Sequence, residues 1–182
     1  MQHAIRVLRY LAVNRGIGPI FDGKVPLVAN IFADASHCLH FTGHGQGGII
    51  ITLGSAPIHI MSFKLKLITR SSSESELVVL EEASTFAVWL KLLLFELDVI
   101  TKGDPIKIYQ DNLSTIFIAT EGGKFKRSKH LLTRESYVRE RIECGDIVLE
   151  HKPTSDMCAD FLTKPLSSSK LFSYLEFLRL IM

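Results

Sequence analysis

The order of the predicted elements indicates a mixed α/β fold in which helices cover a five-stranded sheet. Three strand-like segments separated by short turns come first, and they predict an antiparallel meander. A long helix over residues 70–97 follows, and two further strands are each preceded by helical segments. A right-handed crossover through the long helix would place the fourth strand parallel to the first. We therefore expect three antiparallel strands followed by two parallel ones.

The segments before the long helix divide into a helical tail, a linker and the meander. Residues 3–12 carry an apolar face and predict a helix, and the Gly- and Pro-containing residues 16–26 predict a linker. Strands are predicted over residues 27–34, 49–53 and 58–65. The Gly-rich residues 42–48 are expected to form a turn. They lack the following Gly-Lys-Ser/Thr of a phosphate-binding loop.

The long helix has a capping signal at its start and an apolar stripe along one face. With Ser71 as the N-cap, Glu74 would complete a capping box and Glu76 would have no capping role. Ser73 paired with Glu76 is the alternative cap, and it would shift the helix start by two residues. The stripe consists of residues at steps of three and four, namely Leu77, Leu80, Ala83, Ala87, Leu90, Leu94 and Leu97.

The remaining elements are shorter. Strands are predicted at residues 106–111 and 147–151, and helices at 113–119, 131–143, around Asp160 and at 167–180. We divide the chain into a tail and linker (1–26), one domain (27–166) and a C-terminal helix (167–182).

Composition excludes several classes of protein. Lys and Arg number 21 against 19 Asp and Glu, so the net charge of +2 gives no global attraction to nucleic acid or membranes. Cys38, Cys144 and Cys158 show no Cys-x-x-Cys spacing, which argues against a zinc site or a disulfide framework. No apolar run is long enough for a membrane helix, and the N-terminus does not have the pattern of a signal peptide. We expect a soluble intracellular protein, in either the cytoplasm or the nucleus.

Four carboxylates fall where this topology could bring them together. Asp34 ends the first strand, Glu76 lies early in the long helix, Asp111 ends the fourth strand and Asp160 lies on a late helix. Parallel neighbours end at the same sheet edge, so Asp34 and Asp111 should project from that edge. Four packed carboxylates would repel one another. Two Mg²⁺ ions about 4 Å apart would relieve that repulsion and support phosphodiester hydrolysis. Taken singly, each residue could instead be a cap, a turn residue or a solvated charge.

Several segments carry a family resemblance in the right order: Phe32-Ala33-Asp34-Ala35-Ser36, residues 69–77 and 108–116, Lys129-His130 with Arg134-Glu135, residues 138–140, Pro153-Thr154 and residues 157–166. They closely resemble the ribonuclease H domain of copia-type retrotransposon Pol polyproteins. Residues 3–18 also resemble the end of the preceding reverse transcriptase, so that residues 1–26 would be its residual tail and linker.

This resemblance implies a ribonuclease H-like fold and cleavage of the RNA strand of RNA–DNA hybrids during reverse transcription. It implies two Mg²⁺ ions as cofactors, with Mn²⁺ as a substitute, and the parent reverse transcriptase domain as a further partner. The positions that match the family's catalytic, metal-binding carboxylates are Asp34, Glu76, Asp111 and Asp160. An integrase-type nuclease shares the architecture, but its acidic set ends on a Glu, whereas here the Glu comes second. A catalytically silent remnant that binds nucleic acid or protein is the alternative function.

Candidate nucleic-acid contacts surround these carboxylates. Phosphate groups should bind the basic residues Lys124, Lys126, Arg127 and Lys129. Asn112 and Ser114 are candidates for contacts with 2′-hydroxyl groups. We expect His130 to be buried against Glu135. Cellular and retroviral relatives carry a His that assists product release in the loop after the last strand. Here that loop holds Thr154, Ser155 and Asp156, and His151 is expected on the strand itself.

Overall fold

The computed structural model describes residues 2–16, 18–21, 23–54, 56–122, 129–165 and 167–178. In chain order its elements are α1 (Gln2–Val13), β1 (Ala29–Ser36), β2 (Gln46–Leu53), β3 (Ala56–Lys64), α2 (Ser72–Glu96), β4 (Ile106–Gln110), α3 (Leu113–Glu121), α4 (Lys129–Glu143), β5 (Ile147–His151), α5 (Asp160–Thr163) and α6 (Ser168–Phe177). A single 3-10 turn, Thr154–Asp156, precedes α5.

The five strands form one mixed sheet in the order β3-β2-β1-β4-β5. β1 pairs antiparallel with β2, and β2 pairs antiparallel with β3. β4 pairs parallel with β1 on one side and with β5 on the other. The predicted fold class is therefore confirmed, including the placement of the fourth strand beside the first. This pairing brings the carboxyl ends of β1 and β4 together.

Helix α2 packs on one face of the sheet through its predicted stripe. Leu77, Leu80, Ala83, Ala87, Leu90 and Leu94 are all at most 2% exposed, whereas Leu97 is the C-cap and is 61% exposed. The hydroxyl of Ser71 accepts a hydrogen bond from the N–H of Glu74 at 3.2 Å, and the Glu74 carboxylate accepts one from the N–H of Arg70 at 2.7 Å. Ser71 is thus the N-cap, and the alternative cap at Ser73 is wrong. Glu76 is left to face the sheet.

The opposite face of the sheet is covered by the C-terminal part of the chain. Its core consists of Phe32, Ile50, Met157, Cys158, Ala159, Tyr174 and Leu178. The Lys152 ammonium lies 4.6 Å from the ring centroid of Tyr109 and 5.7 Å from that of Phe177. Contacts of this kind attract a cation to the ring face. They help to hold α6 against the sheet, which matters below because α6 carries Lys170.

The Gly-rich segment differs from the prediction. Gln46, Gly47 and Gly48 belong to β2 and are not part of the turn. A Cβ atom on Gly48 would lie 2.8 Å from the Cβ of Leu162 and 2.9 Å from the main-chain oxygen of Ala159. The missing side chain therefore lets α5 approach β2 closely. Gly48 is also the cross-strand partner of Asp34, so this approach brings α5 next to that carboxylate.

Several apolar side chains remain exposed outside these two cores. Leu8 on α1 is 65% exposed, and Trp89 and Leu92 on the outer face of α2 are 58% and 61% exposed. Within the described residues, no helix combines the length and apolar character that a membrane span requires. The division of the chain at residues 26 and 166 stays a prediction.

Candidate active site

Three carboxylates from distant parts of the chain meet at the end of the β1–β4 pair. Asp34, Glu76 and Asp111 each offer one oxygen atom, and these atoms all lie within 4.8 Å of one another. Asp34 and Glu76 are each 4% exposed, and Asp111 is half-buried. An open cavity of about 410 Å³ leads to them, and it is lined by these three residues together with Ala35, Asn112, Leu113, Ser114 and Lys164.

A buried glutamine ties two of these carboxylates to the sheet. Gln110 is the last residue of β4 and is fully buried. Its side-chain amide donates to the Glu76 carboxylate at 3.2 Å, and its side-chain oxygen accepts from the N–H of Asp111 at 2.8 Å. The two ends of the amide group therefore fix the position of Glu76 relative to the chain that carries Asp111.

Asp34 is held by an unusually close hydroxyl. The Thr163 O–H on α5 donates to the Asp34 carboxylate at 2.5 Å. Burial raises the pKa of Asp34 from 3.8 to about 6; the Thr163 hydrogen bond opposes this rise, and the charges of Asp160 and Asp111 add to it. The protein therefore holds this carboxylate in surroundings that disfavour its charged form.

The surroundings of Glu76 also disfavour its charged form. Burial raises its pKa well above the usual range, and the negative charges of Asp34 and Asp111 raise it further. The hydrogen bonds from Gln110 and from the main chain of Ala35 only partly oppose this. A cation among the three oxygens would remove both the repulsion and part of the desolvation cost. The charge, spacing and oxygen chemistry of this group fit a divalent metal ion.

The side chain of Asp111 accepts a hydrogen bond from the loop after β5. The Thr154 hydroxyl donates to the Asp111 carboxylate at 2.7 Å. Thr154 begins the 3-10 turn that follows β5. His151 is the last residue of β5, as the sequence predicted, and it is exposed.

The fourth predicted carboxylate, Asp160, is fully buried near Asp34 but does not belong to the close group. Within the described residues, the group of neighbouring carboxylates does not include it. Its two oxygens form ion pairs with Lys164 at 2.6 Å and with Lys170 at 3.0 Å. Its negative charge nevertheless contributes to the raised pKa of Asp34, so the two carboxylates are electrostatically coupled.

The predicted nucleic-acid contacts fare differently. Lys124, Lys126 and Arg127 lie outside the described residues, and Lys129 is exposed at the start of α4. Asn112 and Ser114 both line the open cavity. Asn112 is also the N-cap of α3, because its side-chain oxygen accepts from the N–H groups of Ser114 and Thr115 at 3.0 and 3.2 Å.

The expectation for His130 is wrong. His130 is exposed, and Glu135 is buried beside Arg139, whose guanidinium lies 2.5 Å from its carboxylate. The reason is helical phase, since α4 begins at Lys129 and turns Leu131, Glu135 and Val138 towards the core.

The residues that position the carboxylates were not predicted from the sequence: Gln110, Thr154, Thr163, Lys164 and Lys170. A local signal existed for Thr163 and Lys164, because they lie three and four residues after Asp160 and so share a helix face with it. The contacts of Gln110 with Glu76, of Thr154 with Asp111 and of Lys170 with Asp160 join separate elements, which spacing along the chain does not reveal.

Comparison with known proteins gives the family context. The chain is 32% identical over 163 residues to a retrovirus-related Pol polyprotein from transposon RE2 of Arabidopsis thaliana. It is 31% identical over 168 residues to the one from transposon RE1 of the same plant. The chain is homologous to a segment of copia-type Pol polyproteins. These alignments take in 89% and 92% of the chain but only 11% of each relative. No family model matches the chain.

Solved structures identify the fold of this chain. A ribonuclease H1 isolated from compost by a metagenomic approach matches with a TM-score of 0.56 at 18% identity, over 75% of this chain and 93% of that one. The same compost enzyme in complex with an RNA/DNA hybrid matches with a TM-score of 0.52 at 16% identity, over 74% and 93% of the two chains. The chain therefore has the ribonuclease H fold, and the resemblance found in the sequence is confirmed.

Proposed function

We propose that this chain is a ribonuclease H that hydrolyses the RNA strand of RNA–DNA hybrids during retrotransposon reverse transcription. The observation that carries the proposal is the meeting of Asp34, Glu76 and Asp111, with oxygens within 4.8 Å, at the mouth of an open cavity on this fold. The structure of the compost enzyme in complex with an RNA/DNA hybrid supports the choice of substrate.

The three carboxylates would hold Mg²⁺, with Mn²⁺ as a substitute, and Asp160 would complete the site for a second ion. When bound, such ions supply positive charge that activates a water molecule and stabilises the leaving oxygen of a phosphodiester. Gln110 and Thr163 keep Glu76 and Asp34 in place, and Thr154 does the same for Asp111. Positioning of this kind reduces the reorganisation that binding of the ion and the nucleic acid would otherwise require.

The nucleic acid would lie across the open cavity. Asn112 and Ser114 line it and are placed to meet the sugar edge of the RNA strand. Lys129, with Lys124, Lys126 and Arg127, would bind backbone phosphates through charge. The parent reverse transcriptase domain is proposed as the partner that delivers the hybrid.

The test is cleavage of a short hybrid, labelled on its RNA strand, in the presence of Mg²⁺. We expect Asp111→Asn to cleave at least about 100-fold more slowly than the parent, because loss of a metal ligand should cost no less than loss of an outer-shell partner. Asp98→Asn is the matched control. Asp98 is exposed and has a φ of 55°, a conformation that Asn also tolerates, so its rate should equal that of the parent.

Two other results would contradict the proposal. Equal cleavage by the parent and by Asp111→Asn would remove Asp111 from the mechanism. Absence of cleavage in every variant, with hybrid binding retained, would instead support the silent binding module.

A further inference from the structure

Two lysines occupy both oxygens of the buried carboxylate beside the candidate active site. Lys164 lies 2.6 Å from one oxygen of Asp160, and Lys170 lies 3.0 Å from the other. Asp160 is 0% exposed, whereas the Lys164 and Lys170 side chains are 44% and 39% exposed. A buried carboxylate without a cation is costly. The chain thus supplies its own positive charge at the position where a second metal ion is proposed.

The two lysines are not held alike. Lys164 lines the open cavity together with the three clustered carboxylates, and its charge also opposes the raised pKa of Asp34. Lys170 lies on α6, and its ammonium is 5.7 Å from the ring centroid of Tyr174, a buried residue of the second core. Lys164 therefore faces both the acidic group and the space where nucleic acid would lie. Lys170 is anchored on the side of the C-terminal helix.

Resting on the proposed function, we propose that Lys164 is an exchangeable counter-ion of Asp160. In the free protein it excludes a divalent cation from Asp160, so that only the Asp34–Glu76–Asp111 group binds one. When nucleic acid enters the cavity, the Lys164 ammonium transfers to a backbone phosphate and Asp160 becomes available to a second ion. The flexible stem and compact charge of lysine suit such an exchange between two anionic partners.

The exchange couples substrate binding to completion of the metal site. An ammonium and a divalent ion cannot share the same carboxylate oxygen at full strength, because their charges repel each other at such short distances. A phosphate that draws Lys164 away therefore increases the affinity of the protein for the second ion. By linkage, the second ion increases the affinity for the phosphate to the same degree.

The direct test counts Mn²⁺ ions bound to the full chain, by calorimetric titration without nucleic acid. We expect one strong site in the parent. In Lys164→Met we expect a second site whose affinity is at least tenfold above that of any second site in the parent. Lys107→Met is the matched control, because Lys107 forms a similar ion pair with Glu150 at 2.6 Å but lies near the opposite end of β4 from Asp111. It should bind like the parent.

A double variant separates a true metal site from a general charge effect. Lys164→Met combined with Asp160→Asn should lose the second site again. A second measurement keeps the proposal testable if Lys164→Met does not fold. The parent should then gain the second ion when a hybrid with a 2′-O-methylated RNA strand is added, relative to the same hybrid without protein.

Three outcomes would overturn the inference. Two equally strong sites in the free parent would show that Lys164 does not exclude the second ion, while leaving the proposed nuclease intact. An unchanged number of bound Mn²⁺ ions in folded Lys164→Met would show that Lys164 does not control the second site. Failure of the parent to bind any Mn²⁺ would overturn both this inference and the proposed metal site.

Discussion

Asp34 and Asp160 are neighbouring buried carboxylates, yet the chain neutralises only one of them. Thr163 connects them, since its hydroxyl donates to the Asp34 carboxylate and lies 3.1 Å from the main-chain oxygen of Asp160. Asp160 has two lysines, whereas Asp34 faces two further carboxylates. Asp34 sits on a central strand of the sheet, and Asp160 begins a helix of four residues.

The difference shows where this fold keeps unbalanced charge. The strands and α2 hold three carboxylates together rigidly enough that burial and repulsion raise the pKa values of Asp34 and Glu76. The short α5 and the following helix bring lysines that balance the fourth carboxylate. Charge that the chain leaves uncompensated is available to a ligand, and charge that it compensates must first be released.

The largest effect should appear in the stability of the metal-free protein at neutral pH. Asp34 has a pKa of about 6 in the folded chain against 3.8 for the unfolded reference, so the folded state binds more protons between these values. The contribution of protonated Asp34 to the free energy of unfolding is fully present below pH 4, and it is lost as the pH rises through about 6. Asp34→Asn should therefore raise the free energy of unfolding at pH 7 by about 3 kcal/mol relative to the parent.

Asp160→Asn should act in the opposite direction. It removes both ion pairs and leaves Lys164 and Lys170 partly exposed, so we expect a loss of about 1 kcal/mol. Thermal and urea unfolding in EDTA, between pH 4 and pH 7, measures both variants. Identical pH dependence in the parent and in Asp34→Asn would show that Asp34 is not held against its charged form.

The strand order and the three-carboxylate group were predictable because they follow from general rules. A helix crossover makes β4 parallel to β1, and parallel neighbours end at one edge, which places Asp34 and Asp111 together. Ser71 and Glu74 account for the cap, so Glu76 was correctly left without a capping role. These features were predictable because the cap depends on one helix alone and the strand placement follows from the type and order of the elements through general rules of connection.

What escaped prediction depends on how separate elements approach each other. Lys164 has the i,i+4 spacing from Asp160 that allows an ion pair, but nothing in the spacing of Lys170 indicates that it also reaches Asp160, because Lys170 comes from another helix. The prediction that His130 is buried was wrong because the face that α4 turns towards the core depends on where the helix begins. Gly48 suggested a turn, although its role is to admit α5 against β2.

A smaller effect should follow from filling the space beside Gly48. In Gly48→Ala the new Cβ would lie under 3 Å from atoms of Leu162 and Ala159, so α5 must move away from β2. Overpacking of this kind costs roughly 1–3 kcal/mol. The movement should also draw Thr163 and Asp160 away from Asp34, and so weaken Mn²⁺ binding.

Gly103→Ala is the matched control for this substitution. A Cβ on Gly103 would have its nearest neighbour at 3.9 Å, which is ordinary contact. Gly48→Ala should have a lower free energy of unfolding and a lower Mn²⁺ affinity than Gly103→Ala, as measured by unfolding and by Mn²⁺ titration. Equal stability would mean that the close approach of α5 is not what holds Asp160 beside Asp34.

The smallest effects concern the two hydroxyls that hold the clustered carboxylates. Thr163 is 1% exposed and Thr154 is exposed, so water can replace the Thr154 hydrogen bond to Asp111 but not the Thr163 bond to Asp34. Thr163→Val should destabilise the chain by about 1 kcal/mol and raise the pKa of Asp34 further, so Mn²⁺ binding should require a higher pH. Thr154→Val should change the free energy of unfolding and the pH dependence of Mn²⁺ binding by less than about half as much. A hydrogen bond exposed to solvent contributes little net energy. The pH dependence of Mn²⁺ affinity measures this contrast, and a larger shift in Thr154→Val than in Thr163→Val would contradict the expectation that the buried hydrogen bond contributes more.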